Sequence, residues 1–316
     1  MTMFPLFTLS EATHCQTTHG PLTIVDPNSP TELARQGKLY QSILQYTGST
    51  FPPQYDVHGV ELILDLACGA GYWALDTAVA AHQSNVIGLE NNPSLIQYAR
   101  AQARGQRAKD VHFITVDLAT LVHEDQENIF VANSFDLING WLLSSRLSFA
   151  TYPSLLSRCW DLLRPGGTLQ LLEGVMGESS SPACAQMTAW YRQCICSAGG
   201  APILPSASSL AALLEKPSWF DVQQRLVTLP LVRELSSHEL LKGNTLRSTL
   251  LVFFLLIKPF LLQHNIAEED FERVYQQARL DIQNPDFRGT WHLLQIWARK
   301  SVRARPQILP TTSSKP

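Results

Sequence analysis

Residues 64–75 read LDLACGAGYWAL, and their pattern decides the fold. An apolar run over 60–66 leads into a turn that carries Gly69 and Gly71. Beyond the turn, Trp73, Ala74, Ala78 and Ala81 recur along one helical face. The order is strand, glycine turn, helix. A helix start carries backbone N–H groups without partners inside the helix, and glycine lets a ligand come close to the backbone. The stretch points to a nucleotide-like cofactor. About 20 residues on, a second apolar run over 85–89 ends at Glu90, whose carboxylate can accept from both hydroxyls of a ribose.

The glycines alone do not separate two cofactors. Gly69-Ala70-Gly71-Tyr72-Trp73-Ala74 fits the loose dinucleotide pattern G-x-G-x-x-G/A. The acid ahead of them tips the balance. Asp65-Leu66-Ala67-Cys68-Gly69-Ala70-Gly71 resembles the first motif of class I S-adenosylmethionine-dependent methyltransferases. In that family the acid sits near the end of the first strand and helps hold the methionine ammonium. A dinucleotide site gains little from a carboxylate beside its pyrophosphate. One departure is Ala67, which stands where many relatives have glycine; alanine is small enough to keep the loop.

Further strands are expected at 111–116, ending at Asp117-Leu118, and at 135–138, ending at Asn139-Gly140-Trp141. Another is expected at 168–172, ending at Glu173. Helical runs separate them, with Asn92-Pro93 capping one and another at 153–163. That alternation predicts an α/β, doubly wound, mostly parallel sheet whose ligands bind at the carboxyl ends of the strands. Asp65, Glu90, Asp117, Asn139 and Glu173 all lie near those ends.

LLRPGG ahead of the fifth strand looks like a widespread methyltransferase signature, and so does the spacing of Glu90 and Asp117. The resemblance covers 60–173 and looks closest to the ubiquinone/menaquinone-biosynthesis-type small-molecule methyltransferases. It implies a Rossmann-like, seven-stranded sheet whose last two strands are antiparallel. We assign those two to 219–229 and 290–298, with a helical insert at about 235–286 between them.

The expected organisation is a helical cap over 1–55, a cofactor-binding core over 56–175, the rest of the sheet over 176–300 and a disordered tail over 301–316. Residues 1–28 read as irregular. Ser29-Pro30-Thr31-Glu32 then starts a helix through Leu44 that ends before Gly48. Later helices are expected at 182–197, at 207–214, from the Ser236/Glu239 capping box to 262, and from 265–268 to 282.

The resemblance also implies roles. Asp65 assists the ammonium of S-adenosyl-L-methionine, and the backbone around Ala67, Gly69 and Gly71 meets its methionine part. Glu90, with Asn91 beside it, binds the ribose. Asp117 accepts from the adenine amino group, the Leu118 N–H meets a ring nitrogen, and Asn139 and Gly140 approach the methionine end. Tyr40 on the cap is a candidate contact.

The acceptor site is expected under residues 1–50, 175–200 and the insert. Its candidate lining is Trp141, Met176, Trp190, Tyr191, Phe253 and Phe254, which favours a small hydrophobic or aromatic acceptor. For a general base, Glu173 is best placed by strand-end logic, with His19, His238 and His292 as alternatives; no catalytic residue is assigned.

Composition narrows the classes. The 316 residues are 45% hydrophobic and 16% charged, with a formal net charge of −3, which argues against a nucleic-acid partner. The six cysteines form no CxxC pair, and Cys194-Ile195-Cys196 is too tight for a zinc site, so no metal is expected. Reduced thiols and the lack of a signal-peptide pattern suggest the cytoplasm. The apolar run over 250–257 is interrupted by Lys258-Pro259 and falls short of the ~20 residues of a membrane span. Two alternatives remain: an NAD(P)-dependent oxidoreductase using the same turn, and a non-catalytic cofactor-binding scaffold. Oligomeric state is not legible.

Overall fold

The computed structural model describes residues 4–7, 24–121, 130–145, 147, 149–197, 207–215, 218–231 and 240–301. Among them, eight strands form one sheet: β1 (Phe4–Phe7), β2 (Leu62–Leu66), β3 (Asn85–Glu90), β4 (Val111–Thr115), β5 (Phe135–Trp141), β6 (Leu163–Ser179), β7 (Trp219–Pro230) and β8 (Gly289–Lys300). Seven follow the order β4-β3-β2-β5-β6-β8-β7, and β1 pairs with β6. The pairs from β4 to β6 are parallel; β6–β8 and β7–β8 are antiparallel. The doubly wound, mostly parallel sheet with an antiparallel end is the expected one.

The eighth strand was not expected, since residues 1–28 read as irregular. β6 runs on past Glu173 to Ser179, and β1 pairs antiparallel along that extension, Phe4 opposite Ser179. Four residues carry too little alternation to be read as a strand.

Helices fill both faces. In chain order they are α1 (Pro30–Thr47), α2 (Tyr72–Ala80), α3 (Pro93–Gln106), α4 (Leu118–Leu121), α5 (Tyr152–Leu162), α6 (Pro182–Ser197), α7 (Ala207–Leu214), α8 (Leu240–Leu256), α9 (Lys258–Gln263) and α10 (Glu268–Gln283). The Ser29 hydroxyl accepts from Glu32 N at 3.4 Å to cap α1, and Gly48 ends it in the left-handed conformation. α8, α9 and α10 are the insert expected between the last two strands. The Ser236/Glu239 capping box and residues 302–316 of the expected tail lie outside the described residues.

Alternation along each strand sorts its side chains between two layers. On one face Leu64, Leu66, Leu171 and Ile296 pack with Tyr152 of α5 and Leu210 of α7. On the other, Ile63 and Leu137 pack with Trp73 and Ile96, while Leu172 and Leu293 pack with Ile43 of α1 and Phe254 of α8.

The LRPGG signature has a scaffold role. Gly166 is left-handed at φ +80°, and a Cβ on Gly167 would lie 2.9 Å from both the Arg164 and Phe135 carbonyl oxygens. Arg164 pairs with buried Asp136, whose other oxygen accepts from Glu61 N at 2.7 Å and Leu62 N at 2.8 Å. The signature thus ties together the starts of β2, β5 and β6, at the end of the sheet away from the candidate ligand.

The insert is pinned by a buried cation. Arg247 donates to the carbonyls of Leu231 (2.7 Å), Ile282 (2.9 Å) and Phe287 (3.0 Å), and its guanidinium lies 4.9 Å from the Phe287 ring centre. Among the described residues, one helical stretch, Leu246–Gln263, has the length and apolar character to cross a membrane. That is longer than the interrupted apolar run suggested. Of this stretch 39% is buried, and α8 gives way to α9 at Ile257 within it.

Candidate active site

The site is built at the carboxyl ends of β2, β3 and β5. After β2 the chain turns through Ala67 at φ +51°, Gly69 at +55° and Gly71 at +83°. Three left-handed residues in five reverse the strand into α2. Only Ala67 carries a side chain there, which explains why glycine suits that position better. The turn is closed from within: Cys68 N donates to Leu89 O at 2.7 Å and Gly71 N to Cys68 O at 2.9 Å. Gly69 N donates to Glu90 Oε2 at 3.2 Å. The amides of Gly69 and Gly71 are therefore satisfied inside the chain. Gly71 also faces inward: a Cβ there would lie 2.6 Å from Phe113 and 2.9 Å from Ala99. Its smallness serves packing, whereas Gly69 lies under the cap, where a Cβ would lie 3.5 Å from Gln36 Oε1.

Two acids flank the turn. Asp65 is buried, and its Oδ1 accepts from Asn139 Nδ2 at 2.8 Å. Asp65 and Asn139 are direct register partners on β2 and β5. The other oxygen, Oδ2, is buried and has no hydrogen-bond partner. Burial pushes the carboxyl up to about 7, the Asn139 hydrogen bond opposes this, and the nearby Glu90 charge adds to it. Glu90 ends β3, also buried, and spans the turn by accepting from Gly69 N and from Asn92 N at 3.0 Å.

The remaining predicted residues divide. The Asp117 carbonyl starts α4, accepting from Thr120 N at 3.0 Å and from the Thr120 hydroxyl at 2.7 Å, and Leu118 is buried as the first helical residue. Val116 N donates to Glu90 O at 3.0 Å, which brings that strand end beside Glu90. Asn91 is exposed; its neighbour Asn92 caps α3, accepting from Ser94 N at 2.8 Å. Gly140 is a packing position, since a Cβ there would lie 2.6 Å from Leu143.

α1 covers the turn. The Tyr40 ring stacks on Tyr72 with centres 5.9 Å apart and lies 5.6 Å from the Trp141 ring. Its hydroxyl donates to Asp76 Oδ2 at 2.7 Å, and burial, then Asp76, push its pKa well above the usual tyrosine value. The Trp141 indole N–H is buried without a partner.

Residues 63–167 match the methyltransferase domain family. A stretch of 116 residues is 30% identical to demethylmenaquinone methyltransferase of Deinococcus radiodurans, covering 37% of this chain and 44% of that protein. A stretch of 108 residues is 32% identical to trans-aconitate 2-methyltransferase of Methylobacterium radiotolerans, covering 34% of this chain and 36% of that protein. The matched stretches thus span less than half the length of these curated relatives. The fold is shared with a chain of the solved complex containing the Haloferax volcanii Trm112 methyltransferase activator, at TM-score 0.51 and 13% identity, over 88% of this chain and 98% of that one.

Over residues 63–167 this chain is similar to a methyltransferase domain.

The candidate base Glu173, just beyond the matched span, is otherwise engaged. Glu173 is buried and accepts from the Tyr152 hydroxyl (2.6 Å), Ser144 Oγ (2.8 Å), Leu143 N (3.0 Å) and Ser144 N (3.2 Å). Burial pushes it up to about 7 and these bonds hold it back. It clamps the chain that leaves β5. His292 sits between Thr228 Oγ1 at 2.9 Å and Thr290 Oγ1 at 3.4 Å. His19 and His238 lie outside the described residues.

Of the expected acceptor lining, Phe254 is core at 1% exposure. Phe253 meets Tyr191 edge-on at 5.2 Å and lies under the Arg35 guanidinium, and Trp190 is half-buried in the same cluster. Trp141 borders both this cluster and the one around Trp73. The side chain of Met176 lies outside the described residues. Sequence reasoning missed Gln36, Tyr72, Asp76 and Gln170. For Gln170 a signal existed, an amide inside the apolar run TLQLL; the others carried none.

Proposed function

We propose that this chain transfers the methyl group of S-adenosylmethionine to a small apolar or aromatic acceptor under the helical cap. One observation carries the reading: beside a left-handed glycine turn, buried Asp65 keeps one oxygen without a partner while Glu90 ends the neighbouring strand. The donor set fits the cofactor. A buried carboxylate oxygen without a donor suits an ammonium, and a carboxylate has about four acceptor sites. Glu90 accepts from Gly69 N and Asn92 N at the end of β3, and a carboxylate at that strand end suits ribose hydroxyls.

When bound, S-adenosylmethionine supplies a methyl group on a positively charged sulfur, open to in-line displacement. Asp65 would hold the ammonium and Glu90 the ribose, with the Asp117–Leu118 turn at the adenine end and Asn139 at the methionine end. Tyr40, Tyr72 and Trp141 exclude water from the same end, which favours displacement and suits an apolar acceptor. Glu173, already holding four donors, is not offered as the base. No catalytic base is assigned among the described residues, so the reading is simplest for an acceptor whose attacking atom enters with a free lone pair.

The test is calorimetric titration with S-adenosylhomocysteine, with NADH and NADPH alongside. The first should bind alone. Glu90→Ala should weaken it by at least tenfold, as loss of charge-assisted hydrogen bonds is worth roughly 1.5–3 kcal/mol. Binding of a nicotinamide nucleotide instead would sink the reading.

A further inference from the structure

Gln170 is fully buried in β6, where a polar amide calls for hydrogen-bond partners. It is the direct register partner of Asn139 on β5, which is the register partner of Asp65 on β2. The three side chains form one rung across three parallel strands. The rung is directional. Gln170 Nε2 donates to Asn139 Oδ1 at 3.1 Å, and Asn139 Nδ2 donates to Asp65 Oδ1 at 2.8 Å. Gln170 Nε2 also donates, at 2.9 Å, to the Thr50 carbonyl, which follows the cap helix and takes Trp73 Nε1 at 3.1 Å as well.

The remaining atom of the amide is informative. Gln170 Oε1 is buried with no partner. An unmatched buried acceptor lowers stability, so packing alone does not account for a glutamine at this position. Its donors do. An asparagine amide can present either its oxygen or its nitrogen to a neighbour after half a turn about its last bond. A donor placed behind the oxygen fixes the nitrogen forward, toward Asp65.

We infer that Gln170 is a positioning residue for the methyl donor: it locks the Asn139 amide and so aims the Asp65 carboxylate, seating it against the root of the cap through Thr50. The inference rests on the reading of Asp65 as the ammonium acceptor. Gln170 itself touches no ligand.

The experiment measures S-adenosylhomocysteine affinity and melting temperature for the wild type, Gln170→Met, Gln170→Glu, Asp65→Ala and the Asp65→Ala/Gln170→Met pair. Gln170→Met removes the orphaned oxygen together with the donors. It should melt within a few degrees of wild type and bind roughly three- to tenfold more weakly, as expected for a neutral hydrogen bond. Gln170→Glu, acceptor-only when ionised, should turn the Asn139 amide around and lose more. Added to Asp65→Ala, Gln170→Met should cost nothing further, because the group it aims is gone.

Wild-type affinity in Gln170→Met would overturn the inference. So would an undiminished loss in the Asp65→Ala background, or unfolding of both Gln170 variants, since each marks a merely structural residue. A wild-type protein that does not bind would overturn the donor assignment first, and this inference with it.

Discussion

Asp65→Asn should make the ligand-free protein more stable at pH 8 while weakening its grip on the methyl donor. The carboxyl ordinarily titrates at 3.8 and is pushed up to about 7 by burial. The folded state therefore keeps its proton up to about pH 7, while the unfolded state releases it near 3.8. Between those values the folded state binds more protons, so the Asp65 contribution to stability falls as pH rises. The decline is complete above about 7, where it amounts to about 4 kcal/mol. Asparagine keeps an oxygen for Asn139 Nδ2 and has no charge to bury. Its own Nδ2 stands where Oδ2 has no partner and costs roughly 1–3 kcal/mol as an unmatched donor. The net expectation is a gain of about 1–3 kcal/mol at pH 8, shrinking or reversing at pH 5. Glu173 titrates in the same range with the same sign but is present in both proteins, so it cancels in the comparison. Urea unfolding of both proteins at pH 5 and pH 8 measures the difference. A stability change of equal size at the two pH values would refute the reasoning, because only the titration makes it pH-dependent.

Three further substitutions test the scaffold. Gly167→Ala should destabilise by about 2–4 kcal/mol, since its Cβ meets two backbone oxygens that cannot move aside, and urea unfolding should show it. Arg247→Met should cost about 3–5 kcal/mol by leaving three buried carbonyls without their donor, read as a lower midpoint in thermal unfolding. Ala67→Gly should raise stability by up to about 1 kcal/mol, because the left-handed backbone at φ +51° strains alanine and not glycine; a loss in the same assay would refute the strain argument.

Much of the fold was legible because its signals are local. Helices at 182–197 and 207–214 have the expected ends, and every strand of the seven-membered path was located. Asp65, Glu90 and Asn139 were legible by a different route, the rule that places ligands at strand ends. What the sequence hid depends on distant partners. Gly69 and Gly71 look equivalent in the motif, yet one lies under Gln36 of the cap and the other against Phe113 of β4, a difference set by residues far from the turn in sequence. Glu173 looked like a base because it ends a strand; its four donors come from the chain after β5 and from α5. β1 was invisible because nothing in four residues announces an extension of β6.

The seam of the sheet explains why the cap and the donor site belong together. Toward β4 the strands are parallel and carry the acids; toward β7 they are antiparallel and carry the insert. β6 belongs to both halves, pairing parallel with β5 and antiparallel with β8. The cap helix is fastened at its root across that seam. Arg225 of β7 donates to Thr47 O at 2.7 Å and to Gln295 of β8 at 2.6 Å, while Gln170 of β6 holds Thr50 O. A shift of β7 or β8 would therefore move the end of α1, and with it Tyr40, over the turn that Asp65 and Glu90 flank. On the proposed function, an acceptor bound against the insert would have a mechanical route to the donor site through backbone carbonyls and buried amides, with no need for a side chain that touches both ligands. On this argument Arg225→Met should weaken donor binding only when the insert side is occupied, whereas Gln170→Met should weaken it in either state.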